Sequence, residues 1–320
     1  MIMLSNTNTF GGNWTQNKIE ILVAYAEAYL MIMNTFANKY DWKLLYFDGF
    51  AGSGFIEANI GGEADVQEIN NWHYLGFDEQ SNVEKEESNS ATKKEVQDTI
   101  IGAARRILSI NKPRAFDMYY FVEKEKTKFT ELIKNTKNKY TEKQIHVAND
   151  DCNNSLLKLS KYLQGDGKRY KVLAYIDPCG MQVNWRSLST LSKQSVDAWI
   201  LIPTGLGVNR LLKRNGGISE AWLIKLENFL GMSREEIMNY FYDENIQQTL
   251  FGTEKALIKK EKAIERSALL YADRLGDLFK FVSKPYVLRN NSNTIMFHFL
   301  LVSNNKTAVK IANEIVEKYN

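Results

Sequence analysis

Short apolar runs of strand length alternate with stretches of helical periodicity along the first two thirds of the chain. Apolar side chains recur at helical spacing over residues 14–38, which predicts an opening helix. Strands are predicted over residues 43–47, 118–122, 171–176 and 196–202, with a weaker one over 144–148. Helices are predicted over residues 93–109, 126–140, 154–164 and 184–192. Strands that alternate with helices indicate a parallel sheet with helices on both faces.

The last third of the chain has a different pattern. After the strand at 196–202 comes a long insertion, in which helices are predicted over residues 220–229, 233–241 and 255–275. Two β-rich segments, 286–289 and 294–302, then flank the sequence Asn-Asn-Ser-Asn, which is typical of a hairpin turn. A final helix is predicted over residues 306–319. The hairpin indicates that the last strand of the sheet is antiparallel.

The composition is that of an ordinary globular protein. Of 320 residues, 44% are hydrophobic and 25% are charged, which excludes a largely disordered chain. The net charge of +3 neither requires nor excludes a nucleic-acid partner. No uninterrupted apolar run reaches the roughly 18 residues of a membrane span, and no signal-peptide pattern is present, so we expect a cytoplasmic protein without membrane contact. Two cysteines and three histidines without close spacing predict no metal site.

The strongest chemical signal is the turn that follows the first predicted strand. It consists of Asp48, Gly49, Phe50, Ala51, Gly52, Ser53 and Gly54. Its glycines let the backbone turn tightly and let a ligand approach the backbone amides. No Gly-Lys-Ser/Thr follows, which argues against a P-loop, and Glu57 stands where a dinucleotide-binding fingerprint has its third glycine. A plain glycine-rich turn without a ligand stays open as an alternative.

Acidic residues follow three other predicted strands. Glu123 ends the second strand, with Lys124 beside it, and the weak strand is followed by Asp150, Asp151 and Cys152. The fourth strand ends in the tetrad Asp177-Pro178-Cys179-Gly180. Ligands of open α/β sheets bind at the carboxyl ends of the strands, so these residues are candidates for a site.

The pattern Asp-x-Phe-x-Gly-x-Gly after the first strand resembles motif I of class I S-adenosylmethionine (SAM) methyltransferases, especially those that act on nucleic acids. Several short segments also occur in the order found in the three-Cys-motif partner family, TcmP. They are residues 14–18, 50–54, 121–124, 151–153, 177–180 and 202–205. This resemblance covers nearly the whole chain. It implies a Rossmann-like α/β fold with a seven-stranded, mostly parallel sheet whose last strand is antiparallel.

The same resemblance implies the organisation of the chain and its cofactor. We expect one methyltransferase-like domain over residues 1–320, with an N-terminal helix at 14–38, an insertion at 57–115 and a helical cap or subdomain at 206–280. SAM is the implied cofactor. The family name implies a three-Cys-motif protein, itself similar to radical-SAM proteins, as a partner.

The resemblance assigns the SAM contacts residue by residue. Asp48 and the turn at 50–54 would hold the amino-acid end, because its ammonium needs a carboxylate and its carboxylate needs backbone amides. Glu123, beside Lys124, would accept the ribose hydroxyls. Asp151 would accept the adenine amino group, with Asp150 as its rival. Cys152 would then be a packing residue near the adenine.

The tetrad Asp177-Pro178-Cys179-Gly180 is the predicted catalytic segment. It is similar to the Asp-Pro-Pro-Tyr of amino-methyltransferases and, more closely, to the Asp-Pro-Phe-Gly of tRNA guanosine-N2 methyltransferases. In those motifs the acid and the proline carbonyl accept the two protons of an exocyclic amine, so that its lone pair faces the methyl group. Cys179 replaces the aromatic residue that would stack on the base. An ordinary Asp-Pro turn stays an alternative.

Cys179 also permits the mechanism of cytosine-C5 methyltransferases, in which a cysteine after a proline is the nucleophile. Those enzymes need a glutamate near the end of the fifth strand, whereas Glu244 lies deep in the insertion. We therefore expect a buried, inert Cys179. Arg210, Lys213 and Arg214 follow the fifth strand and are the candidate substrate-binding residues, as contacts to nucleic-acid phosphates or as caps of the following helices.

Together these features predict a SAM-dependent methyltransferase that acts on an exocyclic amine of a nucleic-acid base, with DNA or RNA as its partner. Two other classes stay open. The chain could be a non-catalytic or regulatory subunit of a three-Cys-motif protein, or a nucleotide-binding enzyme that is not a methyltransferase.

Overall fold

The computed structural model describes residues 13–57, 99–249, 252–290 and 292–319. In chain order, the strands are β1 (Lys43–Asp48), β2 (Phe55–Glu57), β3 (Thr99–Ile101), β4 (Met118–Val122), β5 (Ile145–Ala148), β6 (Tyr170–Ile176), β7 (Val196–Ile202), β8 (Tyr242–Thr249), β9 (Gly252–Lys259), β10 (Phe281–Val282), β11 (Tyr286–Arg289) and β12 (Ile295–Ser303).

The helices cover the two faces of the sheet. In chain order they are α1 (Asn13–Tyr40), α2 (Ala103–Leu108), α3 (Lys126–Asn135), α4 (Cys152–Gln164), α5 (Trp185–Ser189), α6 (Asn209–Leu211), α7 (Glu220–Leu230), α8 (Arg234–Phe241), α9 (Ala263–Leu278) and α10 (Lys306–Val316). A π-helical turn, Thr204–Val208, precedes α6, and a 3-10 turn, Glu317–Tyr319, follows α10.

Eight of the described strands form the central sheet, in the order β10-β12-β7-β6-β1-β4-β5, with β11 also paired to β12. Strands β5, β4, β1, β6 and β7 are parallel to one another, and β12 is antiparallel to β7. Strands β10 and β11 pair with different parts of β12 and share one edge position. Pro285 lies between them and has no amide hydrogen for the ladder. The predicted Rossmann-like class I methyltransferase fold is confirmed, with seven strand positions and an antiparallel last strand.

Strand β1 lies where the strand order reverses. The chain continues from β1 to β4 on one side and returns to β6 on the other. The register places Asp48 beside Phe121 of β4 and Tyr175 of β6. Glu123 and Asp177, which follow β4 and β6, therefore lie at the same edge as Asp48. Ligands of open α/β sheets bind at such a switch point.

A hydrophobic core lies on each face of the sheet. Leu44 and Tyr46 of β1 belong to the core that α1, α2 and α10 cover. Leu45 and Phe47 belong to the core that α4, α5 and the helices of the insertion cover. Since successive side chains of a strand point to opposite faces, a strand buried on both sides reads as an unbroken apolar run. This explains why β1 was visible in the sequence.

The helix predicted over residues 255–275 is wrong at its start, and the predicted helical cap at 206–280 contains a hairpin. Strands β8 and β9 pair in antiparallel register, and α9 begins only at Ala263. The apolar run at 256–258 is too short for periodicity to distinguish strand from helix. The base of the hairpin is fixed by tertiary contact, because the Lys259 amide donates to the Arg214 carbonyl (3.0 Å). The sequence pattern alone contains no sign of that contact.

Most of the insertion predicted at 57–115 lies outside the described residues, since 58–98 are not described. Within the helix predicted over 93–109, residues 99–101 instead form β3, paired with β2. These are three consecutive β-branched residues, Thr-Ile-Ile, which favour a strand.

The helix predicted over 126–140 ends at Asn135. The Thr136 hydroxyl donates a hydrogen bond to the Leu132 carbonyl there and competes with the helical hydrogen-bond pattern. The hairpin predicted at 286–302 is confirmed by the antiparallel pairing of β11 and β12.

Helix α1 is long and apolar enough to cross a membrane, judged by length and composition alone. In the structure, however, it is a core helix of the fold. Ile21, Leu22 and Tyr25 are buried against the sheet. The Tyr25 hydroxyl also donates to the half-buried Asp197 carboxylate of β7 (2.9 Å). The apolar composition of α1 is thus explained by packing.

Candidate functional site

A cleft opens at the carboxyl edge of the sheet, between the ends of β1 and β6. Its wall combines the glycine-rich turn after β1 with the end of β6 and the start of α2. The residues that line it are Ile19, Asp48, Phe50, Ala51, Gly52, Gly54, Gly102, Ala103, Tyr175 and Asp177. The fold therefore brings the 48–54 turn and Asp177, the first residue of the tetrad, to one place, whereas Pro178, Cys179 and Gly180 do not line the cleft.

Hydrogen bonds from both neighbouring strands hold the turn after β1. The Gly49 amide donates to the Tyr175 carbonyl of β6 (2.9 Å), and the Ala51 amide donates to the Val122 carbonyl of β4 (3.0 Å). The turn is therefore a rigid continuation of the sheet edge.

The glycines of this turn present bare backbone to the cleft. Gly52 and Gly54 have φ angles of +60° and +82°, which favour glycine. A Cβ added at Gly52 would have no atom within 4 Å, so it would project into open space. Ser53 does not line the cleft, and its carbonyl accepts a hydrogen bond from Asn135 of α3 (2.8 Å).

Asp48 is the most buried acid of the site, with 1% of its surface exposed. Its Oδ1 accepts a hydrogen bond from the Phe50 amide (3.1 Å). Burial raises the pKa of Asp48 to about 8; the Phe50 amide lowers it in part, the carboxylates of Asp177 and Glu123 raise it again, and Lys18 lowers it. At pH 7 this carboxyl is therefore mostly protonated. A cation placed beside it would favour the ionised form.

Asp177 is held by two residues that the sequence analysis missed as site residues. Lys18 Nζ of α1 lies 2.8 and 2.7 Å from the two carboxylate oxygens, and the Tyr175 hydroxyl donates to Oδ2 (2.8 Å). The side chains of Lys18 and Asp177 are 9% and 18% exposed. Tyr175 precedes Asp177 by two positions, which places both side chains on one face of the strand. That spacing, and the position of Lys18 in the 14–18 segment, were the signals that could have found them.

Cys179 is exposed, so the prediction that it is buried is wrong. The prediction that it is inert stays a prediction. The chain leaves the sheet after β6, and Pro178 and Gly180 are buried while Cys179 between them faces solvent. A hydrogen bond to Glu125 raises the pKa of Lys128 and burial opposes this, while the charges of Glu125 and Glu123 and, least of all, Cys179 add to the rise. Lys128 is therefore within electrostatic range of Cys179.

Glu123 and Lys124 follow β4 but do not line the cleft between β1 and β6. Glu123 is partly exposed, and its Oε1 accepts a hydrogen bond from the Glu125 amide (2.7 Å). Its Oε2 has no hydrogen-bond partner within the described ranges. The exposed Lys124 ammonium lies 3.1 Å from Oδ2 of Asp151. The lysine that follows Glu123 in the sequence thus pairs with the other predicted cofactor acid, Asp151.

Asp151 and Asp150 have different surroundings. Asp151 caps the start of α4, where its Oδ1 accepts the Asn153 amide (2.9 Å). Burial raises the pKa of Asp151, but the hydrogen bonds from Asn153 and Lys124 outweigh this and lower it. Asp150 instead pairs with Lys158 on the surface of α4 (2.7 Å), which lowers its pKa. The carboxylate of Asp150 is thus engaged by side chains of α4, whereas Asp151 pairs with Lys124, the residue that follows Glu123 in the sequence.

Cys152 packs under the turn after β1. It is buried, and burial raises the pKa of its thiol well above the usual value. A Cβ added at Gly49 would lie only 2.6 Å from the Cys152 sulfur, so the turn requires glycine at that position.

The three candidate phosphate contacts, Arg210, Lys213 and Arg214, are exposed after β7 and do not line the cleft. Lys213 Nζ lies 4.6 Å from the centre of the Trp222 ring. Lys259 Nζ donates to the Leu212 carbonyl (2.9 Å) and so holds the loop that carries Lys213 and Arg214. The basic side chains are therefore carried by an ordered segment beside the site.

The residues of the 202–205 segment are explained by their packing against β12. Thr204 Oγ1 and His298 Nδ1 of β12 are 2.7 Å apart and buried, and burial lowers the pKa of His298 to about 4. A Cβ added at Gly205 would collide with the Ile295 carbonyl, so only glycine fits. These residues join the end of β7 to β12.

Comparison with known proteins gives structural neighbours only. No protein-family model matches the chain, and no curated protein matches it. Among solved structures, it is similar to protein LPL1258 from Legionella pneumophila str. Philadelphia 1, family-model DUF519, with 16% identity and a TM-score of 0.40 over 92% of this chain and 99% of that chain. It is also similar to Trm1 from Pyrococcus horikoshii in complex with S-adenosyl-L-methionine, with 10% identity and a TM-score of 0.35 over 99% of this chain and 75% of that chain. The resemblance to the three-Cys-motif partner family thus rests on the short motifs alone.

Proposed function

We propose that this chain is a SAM-dependent methyltransferase that acts on an exocyclic amine of a nucleic-acid base. One observation carries the proposal: Asp48, Gly52 and Asp177 line a single cleft at the switch point of a sheet with class I methyltransferase strand order. The cleft offers a carboxyl group for an ammonium, bare backbone for a carboxylate, and a second carboxylate for an amine. Methyl transfer from SAM to an amine needs these three groups in one place.

The residues around the cleft fit SAM. Asp48 would hold the ammonium, whose charge favours the ionised form of this buried acid. The backbone around Gly52 would hold the carboxylate, because no atom within 4 Å occupies the direction of its missing side chain. Glu123 would accept the ribose hydroxyls through Oε2, and Asp151 at the adjacent strand end would accept the adenine amino group. When bound, SAM supplies an electrophilic methyl group on its sulfonium.

The chain itself must position the amine. Two acceptors for its N–H groups leave the nitrogen lone pair directed at the methyl group. The Asp177 carboxylate on the cleft wall would be one acceptor. The carbonyl of Pro178, a buried residue that does not itself line the cleft, would be the other. Both residues directly follow β6. Their role is orientation and hydrogen bonding.

We expect SAM, and not ATP, to stabilise the folded protein. A ligand at about 100 times its dissociation constant adds about 2.7 kcal/mol to the free energy of unfolding. Thermal unfolding with SAM, S-adenosylhomocysteine and ATP measures this directly. Transfer of labelled methyl groups to bulk RNA and DNA then tests catalysis. Stabilisation by SAM without transfer would favour the non-catalytic subunit, and stabilisation by ATP alone would contradict a SAM site.

We expect nucleic acid to bind beside the cleft, through Arg210, Lys213 and Arg214 and through the basic stretch 105–143, which has eleven basic and five acidic residues. Replacing the three residues by alanine should reduce the slope of log K against log salt by about 0.9 for each phosphate that is no longer neutralised. Filter binding over a salt series measures the slope, with the exposed Lys310→Ala on α10 as control. If the wild type binds neither RNA nor DNA even at low salt, the substrate is not a nucleic acid.

The exposure of Cys179 favours a second candidate, methylation at cytosine C5 with Cys179 as nucleophile.

A three-Cys-motif protein as partner remains a proposal from the sequence resemblance. A cytoplasmic location is likewise proposed, and the role of α1 as a core helix supports it.

A further inference from the structure

We infer that Lys18 is a positioning residue, which holds the Asp177 carboxylate so that one acceptor site remains for the amine. The inference rests on the proposed function and deepens it, because it assigns the group that sets the orientation and charge of the proposed amine acceptor. Lys18 lies 159 positions before Asp177, on the helix that precedes β1.

The hydrogen bonds at Asp177 leave few acceptor sites of its carboxylate for a substrate. A carboxylate has about four lone-pair sites, two on each oxygen. Lys18 Nζ donates to Oδ1 (2.8 Å) and to Oδ2 (2.7 Å), and the Tyr175 hydroxyl donates to Oδ2 (2.8 Å). Oδ2 is therefore saturated and Oδ1 keeps one site. A substrate N–H can be accepted only there, so the bond from Lys18 decides where the amine lies.

Lys18 and Tyr175 are themselves fixed by aromatic packing on β12. Tyr175 is 2% exposed, and its ring packs edge-on against Phe299 with centroids 6.2 Å apart. Lys18 Nζ lies 5.0 Å from the centre of the Trp14 ring, which packs at 5.2 Å against Phe297. The donors around Asp177 are thus held by the core before any ligand arrives, as pre-organised hydrogen bonding requires.

Lys18 acts through Asp177. Asp177 and Ile19 line the cleft, and Lys18 does not. Its side chain is 9% exposed, and both of its hydrogen bonds go to the Asp177 carboxylate, which lies on the cleft wall. Lys18 therefore touches neither the predicted cofactor site nor the space for the amine.

Lys18 also decides which of the two acids in the cleft carries the negative charge. The charged or titratable groups that face Asp177 are Lys18 from α1, Tyr46 and Asp48 from β1, and Tyr175 from β6. Two neighbouring carboxyls resist being ionised together. The Lys18 ammonium contacts Asp177 directly, so it stabilises the negative charge there, whereas burial leaves Asp48 with the proton. Asp177 is therefore the acceptor of the pair.

Lys18→Met tests the inference, because it removes the ammonium and keeps a long apolar side chain. We expect kcat for methyl transfer to fall about 100-fold, as when a general acid–base or positioning group is removed. The KM for SAM should change little, and the acidic limb of the pH–rate profile should move to higher pH. Lys18→Arg should recover much of kcat. Lys39→Met, at the exposed far end of α1, is the matched control and should leave all three quantities unchanged.

A second measurement needs no activity. A crystal structure of Lys18→Met should show the Asp177 carboxylate turned away from its wild-type orientation or in more than one conformer. An unchanged carboxylate orientation overturns the inference, and so does an unchanged kcat. If the wild type transfers no methyl group, the orientation alone decides, so the proposed function can fail while the role of Lys18 stands. If Lys18→Met does not fold, Tyr175→Phe removes one donor, keeps the ring, and should loosen the carboxylate in the same way.

Discussion

Asp177→Ala should abolish methyl transfer, by about 1,000-fold or more, while SAM affinity stays largely unchanged. Without the carboxylate, the cleft loses the acceptor that fixes the amine, and the Pro178 carbonyl alone cannot orient both N–H groups. Transfer from labelled SAM measures turnover, and calorimetry measures SAM binding. Turnover close to that of the wild type in a demonstrated reaction would show that the Asp-Pro turn is only structural.

Asp177→Ala also leaves Lys18 buried without its partner, which destabilises a protein by several kcal/mol when the charge stays uncompensated. The double variant Lys18→Met/Asp177→Ala removes both charges and serves as the folding control. Its thermal stability should exceed that of Asp177→Ala, and its turnover should be equally low. A fall in turnover can then be assigned to chemistry and not to unfolding.

Cys179→Ser should keep substantial activity. A cysteine nucleophile needs a thiolate stabilised by its surroundings, and serine at the same place would abolish C5 methylation. Because Cys179 is exposed and so accessible to a base, this comparison is decisive. Complete inactivity of Cys179→Ser, together with a covalent adduct between Cys179 and a fluorinated cytosine, would establish the C5 mechanism and reject the amine mechanism.

Gly52→Val should reduce SAM affinity by at least about 100-fold. A β-branched residue is strained at the φ of +60° found there, and its side chain would project into the open space that the methionine end of SAM needs. Gly276→Val is the matched control, because Gly276 of α9 also has open space around its Cβ position and lies outside the cleft. Calorimetry on both folded variants should show the reduced affinity only at Gly52.

Glu123→Ala should have an effect of similar size, because it removes two charge-assisted hydrogen bonds of about 1.5–3 kcal/mol each. Glu131→Ala, an exposed acid on α3, controls for the change in net charge. Unchanged SAM affinity in folded Glu123→Ala would reject the assignment of the ribose to the end of β4.

The sequence predicted most of the sheet, because its strands are buried on both faces. The apolar runs of β1 and β4 have no polar residue between their ends, and β6 and β7 each carry one charged residue near the start, Lys171 and Asp197. Such runs are visible without any tertiary information. The hairpin of β8 and β9 was missed because its short apolar run fits two periods equally well. The exposure of Cys179 was missed because burial in a loop depends on where the chain leaves the sheet, not on residue type.

The sequence by itself determined where acids and glycines follow strands: Asp48, the glycines at 52 and 54, Glu123 and Asp177. Strand ends and positive φ angles are local properties, so local patterns encode them. Only the tertiary structure decided that Asp48 and Asp177 share one cleft, and that Lys18 and Tyr175 hold Asp177. The partner of a buried charge is chosen by which helix packs over which strand, and that packing is settled by both hydrophobic cores together. The ion pair between Lys18 and Asp177 is therefore a product of the fold, although both of its residues stand in segments that the sequence had marked.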